Sequence, residues 1–283
     1  MPLQMEASRR ASAALLTNMS AQALGSAAII APTVVAPLIA SSLQIPVIAV
    51  GIYVSLVYLS AMTTSMLSGP SVIGVGGTRV VQVCLLTCSI GLCLVCTPLL
   101  AVAILGAVVI GAGYGPLTPA SAEVFSRSIP KRHLSLAYSV KQSGSPLGGV
   151  IVGALLPGLT LALSWSAALG LVAAACALFS AIASSFRKLL DGDRTGVVPR
   201  KSLQTLLEPI RYILRDRNLR ILGIASLVLS AAQVSFTAYA VAFLTDGLGW
   251  SLIAAGLALS ISQGTGAVGR IFWGWVADTS IGS

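Results

Sequence analysis

Charged side chains are scarce in this sequence. Only 9% of its 283 residues are charged, and hydrophobic residues make up 56%. A soluble domain carries about 25% charged residues, so this composition excludes an ordinary water-soluble domain. The mean hydropathy of +0.93 points the same way. The sequence therefore predicts an integral membrane protein.

Potential catalytic and metal-binding residues are also few. His133 is the only histidine and lies in a loop, so a serine nucleophile such as Ser145 would lack a base inside the membrane. Cys93 and Cys96 form a CxxC pair, but no second pair and no histidine accompany it. Ordinary packing explains this pair better than zinc binding or redox work. We expect no enzymatic activity, no metal and no cofactor.

Eight apolar runs are long enough to cross a membrane as helices. A hydrocarbon core about 30 Å thick needs roughly 20 mostly apolar residues in a helix, because lipid offers no partner for backbone groups. The predicted spans are Ala13–Leu38, Val47–Ser68, Val80–Thr97, Leu100–Phe125, Leu134–Pro157, Thr160–Phe186, Leu219–Leu244 and Ser251–Ala277. These runs predict an all-α membrane protein.

Basic residues predict how the chain is oriented. Lysine and arginine concentrate in cytoplasmic loops, and here they lie before span one, after spans two, four and six, and near the end of span eight. The opposite loops carry none. We therefore expect both termini to be cytoplasmic and the protein to lie in the plasma or inner membrane. The net charge of +9 is interpreted as an insertion signal, and no nucleic-acid partner is expected.

One long polar connection divides the spans into two groups. It follows span six, which predicts three parts: a transmembrane bundle of six helices over residues 1–186, a cytoplasmic linker over 187–218, and a partial second bundle over 219–283. Such a layout is typical of transporters built from two repeats.

Span five contains a cluster of glycines around a proline, "SGSPLGG". Gly144 with Gly148, and Gly149 with Gly153, define two faces of small residues. Such faces allow close approach of neighbouring helices, and Pro146 should bend the helix. The cluster predicts that this helix packs tightly on both sides.

Related loop sequences follow spans two and eight. The first reads "GPSVIGVGGTR", with Gly69 and Arg79; the second reads "GRIFWGWVADTSIG", with Gly274 and Asp278 in GxxxD spacing. Together with the glycine and proline cluster, these loops make the sequence similar to the major facilitator superfamily. That resemblance implies a bundle of six helices followed by the first two helices of a second bundle. Family members usually have twelve spans, so the chain resembles one truncated after the eighth helix.

The resemblance also implies residues that control conformational change. In the family the first loop carries an acidic residue where this chain has Ile73, so this copy should lack the electrostatic latch that such a residue provides. We expect any latch to rely on Asp278 and Arg270, with Glu123 and either Arg127 or Arg132 as further candidates. The glycines and Pro146 of span five are expected to act in the same conformational change. Tight turns without any latch are the alternative.

Lys141 is the main candidate for substrate binding. It lies about seven residues inside span five, roughly 10 Å along a helix, where a charge facing lipid would be costly. We expect it to face the bundle interior and to attract an anionic group of a small-molecule substrate. The polar residues expected to line the same site are Gln142, Asn18, Gln22, Gln233 and Gln263. A structural ion pair between Lys141 and Glu123 is the alternative.

The resemblance implies a secondary active transporter that works by alternating access. A coupling proton could bind Glu123, although Arg127 lies one helical turn away and would oppose protonation. We expect the substrate to be a small organic anion. A drug-type exporter and a truncated, inactive membrane remnant are the alternatives.

Overall fold

The structure is a computed structural model that describes residues 2–130, 133–192 and 211–276. Arg132, Asp278 and most of the predicted linker lie outside these ranges. The described chain is helical throughout, with short connections. The helices are α1 Pro2–Val34, α2 Ala36–Leu43, α3 Val50–Leu67, α4 Gly69–Val75, α5 Gly77–Val95, α6 Leu100–Tyr114, α7 Leu117–Ser128, α8 Leu134–Ala162, α9 Trp165–Ala183, α10 Arg187–Asp191, α11 Arg217–Ala242 and α12 Leu252–Val276.

Within the described residues, eight stretches are long and apolar enough to cross a membrane, as the sequence predicts. They correspond to α1, α3, α5, the pair α6 and α7, α8, α9, α11 and α12. Arg10, Arg79, Arg127 and Arg270 lie at or near one end of these spans, which we call the basic end; the opposite end is the far end. The fold is thus a six-helix bundle followed by two helices of a second bundle.

The boundary between spans five and six differs from the prediction. The sequence places the end of span five at Pro157, but α8 continues to Ala162, and α9 begins at Trp165. A proline removes one hydrogen bond without ending a helix whose other bonds are kept. The break comes instead at Ser164, whose hydroxyl accepts a hydrogen bond from the Ala167 amide at 3.1 Å and caps α9.

Helix α8 has a central position in the fold. It packs against α1 on one side and against α12 on the other, so it joins the two bundles. The main core lies in the first bundle, where Leu85, Leu92 and Ile110 are fully buried. By contrast, α11 is exposed along most of its length and contacts α1 and α3 toward its far end. There the Tyr239 hydroxyl donates to the Ile48 carbonyl at 3.3 Å.

Candidate functional site

The glycines of α8 produce the two close contacts that the sequence predicts. A Cβ at Gly144 or Gly148 would overlap backbone carbonyls of α1, those of Met19 and Ala23. On the other face, a Cβ at Gly149 would overlap the side chain of Gln263 from α12. Small residues let the backbones approach this closely. The packing is confirmed, whereas a role of these glycines in gating stays a prediction.

Pro146 opens a contact between the bundles. Because proline has no N–H, the carbonyl of Gln142, four residues earlier, lacks its usual helical donor. The guanidinium of Arg270 from α12 donates to this carbonyl at 3.0 Å. Nearby, the Ser143 hydroxyl, which donates to the Ser139 carbonyl at 2.9 Å, lies 3.5 Å from the Ala267 carbonyl. The proline therefore supplies an acceptor for a residue of the other bundle.

Pro157 repeats this arrangement three turns later on α8. It frees the carbonyl of Gly153, which lies where a Cβ on Gly256 of α12 would be. The Ser260 hydroxyl of α12 donates to the Val150 carbonyl at 2.8 Å. At both prolines, a carbonyl of α8 that lacks its helical donor thus faces α12.

Lys141 lies in the bundle interior with only 2% of its surface exposed. Its Nζ donates to Thr118 Oγ1 of α7 at 3.4 Å and to Gln142 Oε1 at 3.2 Å. Among the described residues, no carboxylate lies within salt-bridge distance of Nζ. A buried ammonium held only by neutral oxygens is costly, so it can gain from an anionic partner.

The proposed ion pair between Lys141 and Glu123 is not what the structure shows. Glu123 Oε1 instead lies 2.8 Å from Arg127 Nε, in an i,i+4 pair on α7. The sequence could not choose between the two cations, because the choice depends on how α7 and α8 rotate against each other. Glu123 and Arg127 are thereby joined on one helix at the basic end.

Two amides of α1 present free acceptor oxygens to the same interior. Asn18 donates to the Ala14 carbonyl at 2.8 Å, and Gln22 donates to the Tyr114 hydroxyl at 2.9 Å. Both side chains are 3% exposed, and the Oδ1 of Asn18 and the Oε1 of Gln22 have no partner in the described structure. Buried acceptors without donors can bind a substrate donor or water.

A small central cavity lies between the two bundles. Its volume is about 40 Å³, enough for a few water molecules. Gln233 of α11 and Gln263 of α12 line it, whereas Lys141, Gln142 and Asn18 do not. The residues predicted to form one site therefore fall into two layers: the Lys141 layer toward the basic end and this cavity above it. Gln22 links them through Tyr114, which lines the cavity.

Several lining residues were not predicted from the sequence as substrate-binding. Ser26 donates to Ser145 across the cavity at 2.8 Å, and Thr237 lines it from α11. Each lies four residues after a predicted one: Ser26 after Gln22, Ser145 after Lys141 and Thr237 after Gln233. Residues four apart share a helix face, so this spacing could have revealed them.

The turn between α4 and α5 corrects one expectation about the first loop. With Ile73 at the acidic position, this loop was expected to have no electrostatic latch. Asp191, at the end of α10, supplies the missing carboxylate: it accepts from the amides of Thr78 at 2.9 Å and Arg79 at 3.0 Å. It therefore caps the start of α5 from a position 112 residues away.

Gly76 makes room for this carboxylate. It has φ of +97°, and a Cβ there would overlap the Asp191 side chain. Gly69, another glycine of this loop, starts α4 with open space around it. The conformationally demanding glycine is therefore Gly76.

Helix α10 is anchored on the first bundle, although the sequence assigned it to the linker. Leu190 is fully buried in a cluster that includes Ala13 and Phe125. The Arg10 guanidinium donates to the Leu190 carbonyl at 3.3 Å. Asp191 itself is 3% exposed, so α10 packs closely against the basic end of the bundle.

The second loop is only partly described. Gly274 lies in α12, two residues before its end, and Asp278 lies outside the described residues. A latch through these two residues stays a prediction. Arg270, expected to take part in it, reaches α8 as described above.

Comparison with known proteins gives one family and one fold. Residues 16–283 match the model of the Major Facilitator Superfamily. No curated protein matches. A solved structure, a crystal structure of a peptide transporter (POT) in complex with sulfate, is similar with a TM-score of 0.54 and 15% identity. The match covers 94% of this chain and 52% of that one, so the chain spans about half the length of that transporter.

Proposed function

Because this chain belongs to the major facilitator superfamily, we propose that it forms part of a secondary active transporter for a small organic anion. The observation that carries this proposal is the environment of Lys141. A buried cation with only neutral partners lies where α8 meets both bundles. An anionic group would complete its coordination and offset the cost of burying its charge.

The free acceptor oxygens of α1 support a substrate with its own donor groups. The free oxygens of Asn18 and Gln22 lie on α1, which packs directly against α8. A substrate with an acidic group and a hydroxyl or amine would use both kinds of partner. Gln142 would then connect the substrate to the bundle interface, because its side chain accepts from Lys141 while its carbonyl accepts from Arg270.

Transport itself requires two access states, and the interface between α8 and α12 is where they would interconvert. Arg270 holds this interface near the basic end, and Tyr239 holds α11 to the turn before α3 at the far end. Substrate binding at Lys141 would weaken the Gln142 contacts and so bias the interface. We propose that further helices complete the path, since α11 exposes Gln233 and the adjacent Ser230.

Binding to the purified full chain tests the proposal without requiring transport. A panel of labelled small carboxylates is measured on wild type, Lys141→Ala, Lys141→Arg and Lys188→Ala. Lys188 is exposed and serves as the matched loss of one positive charge. We expect Lys141→Ala to weaken binding at least tenfold, because a charged hydrogen bond contributes about 1.5–3 kcal/mol. Lys141→Arg should retain part of the affinity.

Three other results would reject the anion proposal. Equal binding by wild type and Lys141→Ala would remove the lysine from the site. Binding of hydrophobic cations, strengthened by Lys141→Ala, would favour a drug-type exporter, because a buried positive charge repels such compounds. A chain that binds neither class would fit an inactive remnant.

Proton coupling through Glu123 is a separate proposal, tested by comparing uptake into vesicles with and without a pH gradient.

A further inference from the structure

A second cavity, larger than the central one, lies at the far end of the first bundle. Its volume is about 340 Å³, and α1, α2, α3 and α6 form most of its wall. Every lining side chain is apolar except that of Tyr53. The Tyr53 hydroxyl already donates to the Ile29 carbonyl at 3.2 Å. The cavity is thus separate from the Lys141 layer in both position and chemistry.

This apolar lining makes the binding of water or polar ligands unfavourable. An ordered water needs two to four polar partners, and the cavity provides almost none. An empty space of this size would deprive the surrounding side chains of their dispersion contacts. The occupant should therefore be apolar, and the volume falls in the range of about 300–1,000 Å³ found for small-molecule sites.

The mouth of the cavity identifies the source of such an occupant. Ile52 and Ile104 line the cavity yet are 62% and 43% exposed, so the opening lies on the lateral surface of two membrane-spanning helices. Both residues belong to stretches long and apolar enough to cross a membrane, so we place lipid hydrocarbon at this opening. Val47 and Leu100, where the spans begin, line the upper part, and Ala107 lies deeper. An acyl chain can enter here with its lipid headgroup left at the membrane surface.

We propose that this cavity binds one acyl chain of a phospholipid from the membrane leaflet at the far end. The methylenes nearest the headgroup lie beside Val47 and Leu100, and the chain continues toward Leu56 and Ala107. The chain fills the space between α2, α3 and α6, which otherwise meet poorly there. This inference is independent of whether the protein transports an anion.

Phospholipid retention tests the proposal on the full chain. Ala103→Trp fills the cavity, and Ala101→Trp places the same side chain on the exposed surface of the same helix. Each protein is purified in mild detergent, and bound phospholipid is counted by mass spectrometry. We expect wild type and Ala101→Trp to retain about one more phospholipid per chain than Ala103→Trp does. Equal retention by all three proteins would overturn the proposal.

A labelling experiment avoids any question of whether the tryptophan variant folds. A phosphatidylcholine with a photoreactive diazirine in the middle of one chain is reconstituted with wild-type protein and activated. Adducts should concentrate in residues 47–56 and 100–107. Labelling spread evenly over exposed positions such as Leu222 and Leu229 of α11 would mean only surface contact with bulk lipid, and would contradict the site.

Discussion

Asp191 offers the sharpest test of how the basic end of the first bundle is held. Its carboxylate accepts hydrogen bonds from the backbone amides of Thr78 and Arg79 at the start of α5, and it is 3% exposed. Hydrogen bonds to a charged group contribute about 1.5–3 kcal/mol each. Asp191→Ala should therefore cost about 3 kcal/mol in the local opening of this turn, because both amides lose their acceptor.

Hydrogen exchange measures this local opening directly. A loss of about 3 kcal/mol corresponds to roughly a 100-fold faster exchange of the Thr78 and Arg79 amides. Asp191→Asn keeps one carbonyl oxygen, so it should cost about half as much free energy of local opening as Asp191→Ala does. Gly76→Ala should accelerate the same two amides, because its Cβ would displace the carboxylate.

The matched control is another aspartate that caps a helix. Asp216 accepts from the Leu219 amide at 2.9 Å at the start of α11. Asp216→Ala should leave exchange at Thr78 and Arg79 unchanged while accelerating exchange at Leu219. If Asp191→Ala leaves the Thr78 and Arg79 amides as slow as in wild type, the carboxylate is not what holds this turn, and the reasoning is refuted.

Two further predictions concern α8. Gly148→Ala should destabilise the protein by about 1–3 kcal/mol, because its Cβ would overlap α1, whereas Gly158→Ala, in open space on the same helix, should be neutral or stabilising. Thermal unfolding in detergent measures both effects. Equal effects would contradict the packing argument. Pro146→Ala should restore an N–H that competes with Arg270 for the Gln142 carbonyl and so loosen the contact between α8 and α12. Labelling of a cysteine at position 267 (Ala267→Cys) should then rise about three- to tenfold. The effect should vanish when Arg270→Ala is already present, and additivity of the two changes would disprove their connection.

The sequence determined the features that depend on composition and spacing. Eight apolar runs must become helical, because lipid cannot satisfy backbone groups, and the part of the chain that the structure describes contains eight such helical spans. The two glycine faces of α8 follow from residues four apart on one helix. The predicted tight packing of α8 is confirmed, and the structure shows that one face meets α1 and the other meets α12. Local chemistry was sufficient for both results.

Boundaries set by a single residue were harder to predict. Pro157 suggested the end of a helix, yet α8 continues past it to Ala162, and the freed carbonyl of Gly153 faces α12. The strength of that stop signal depends on what lies opposite the proline. A sequence shows the missing N–H but does not show the neighbouring helix that tolerates it.

Only the tertiary structure decided which polar groups meet. Glu123 pairs with Arg127 and leaves Lys141 to neutral oxygens, although the spacing along the chain allowed either pairing. Asp191 reaches the start of α5 from 112 residues away, a contact that no local pattern encodes. Helix formation is local because each backbone bond spans four residues, whereas side-chain partners depend on how finished helices rotate and pack.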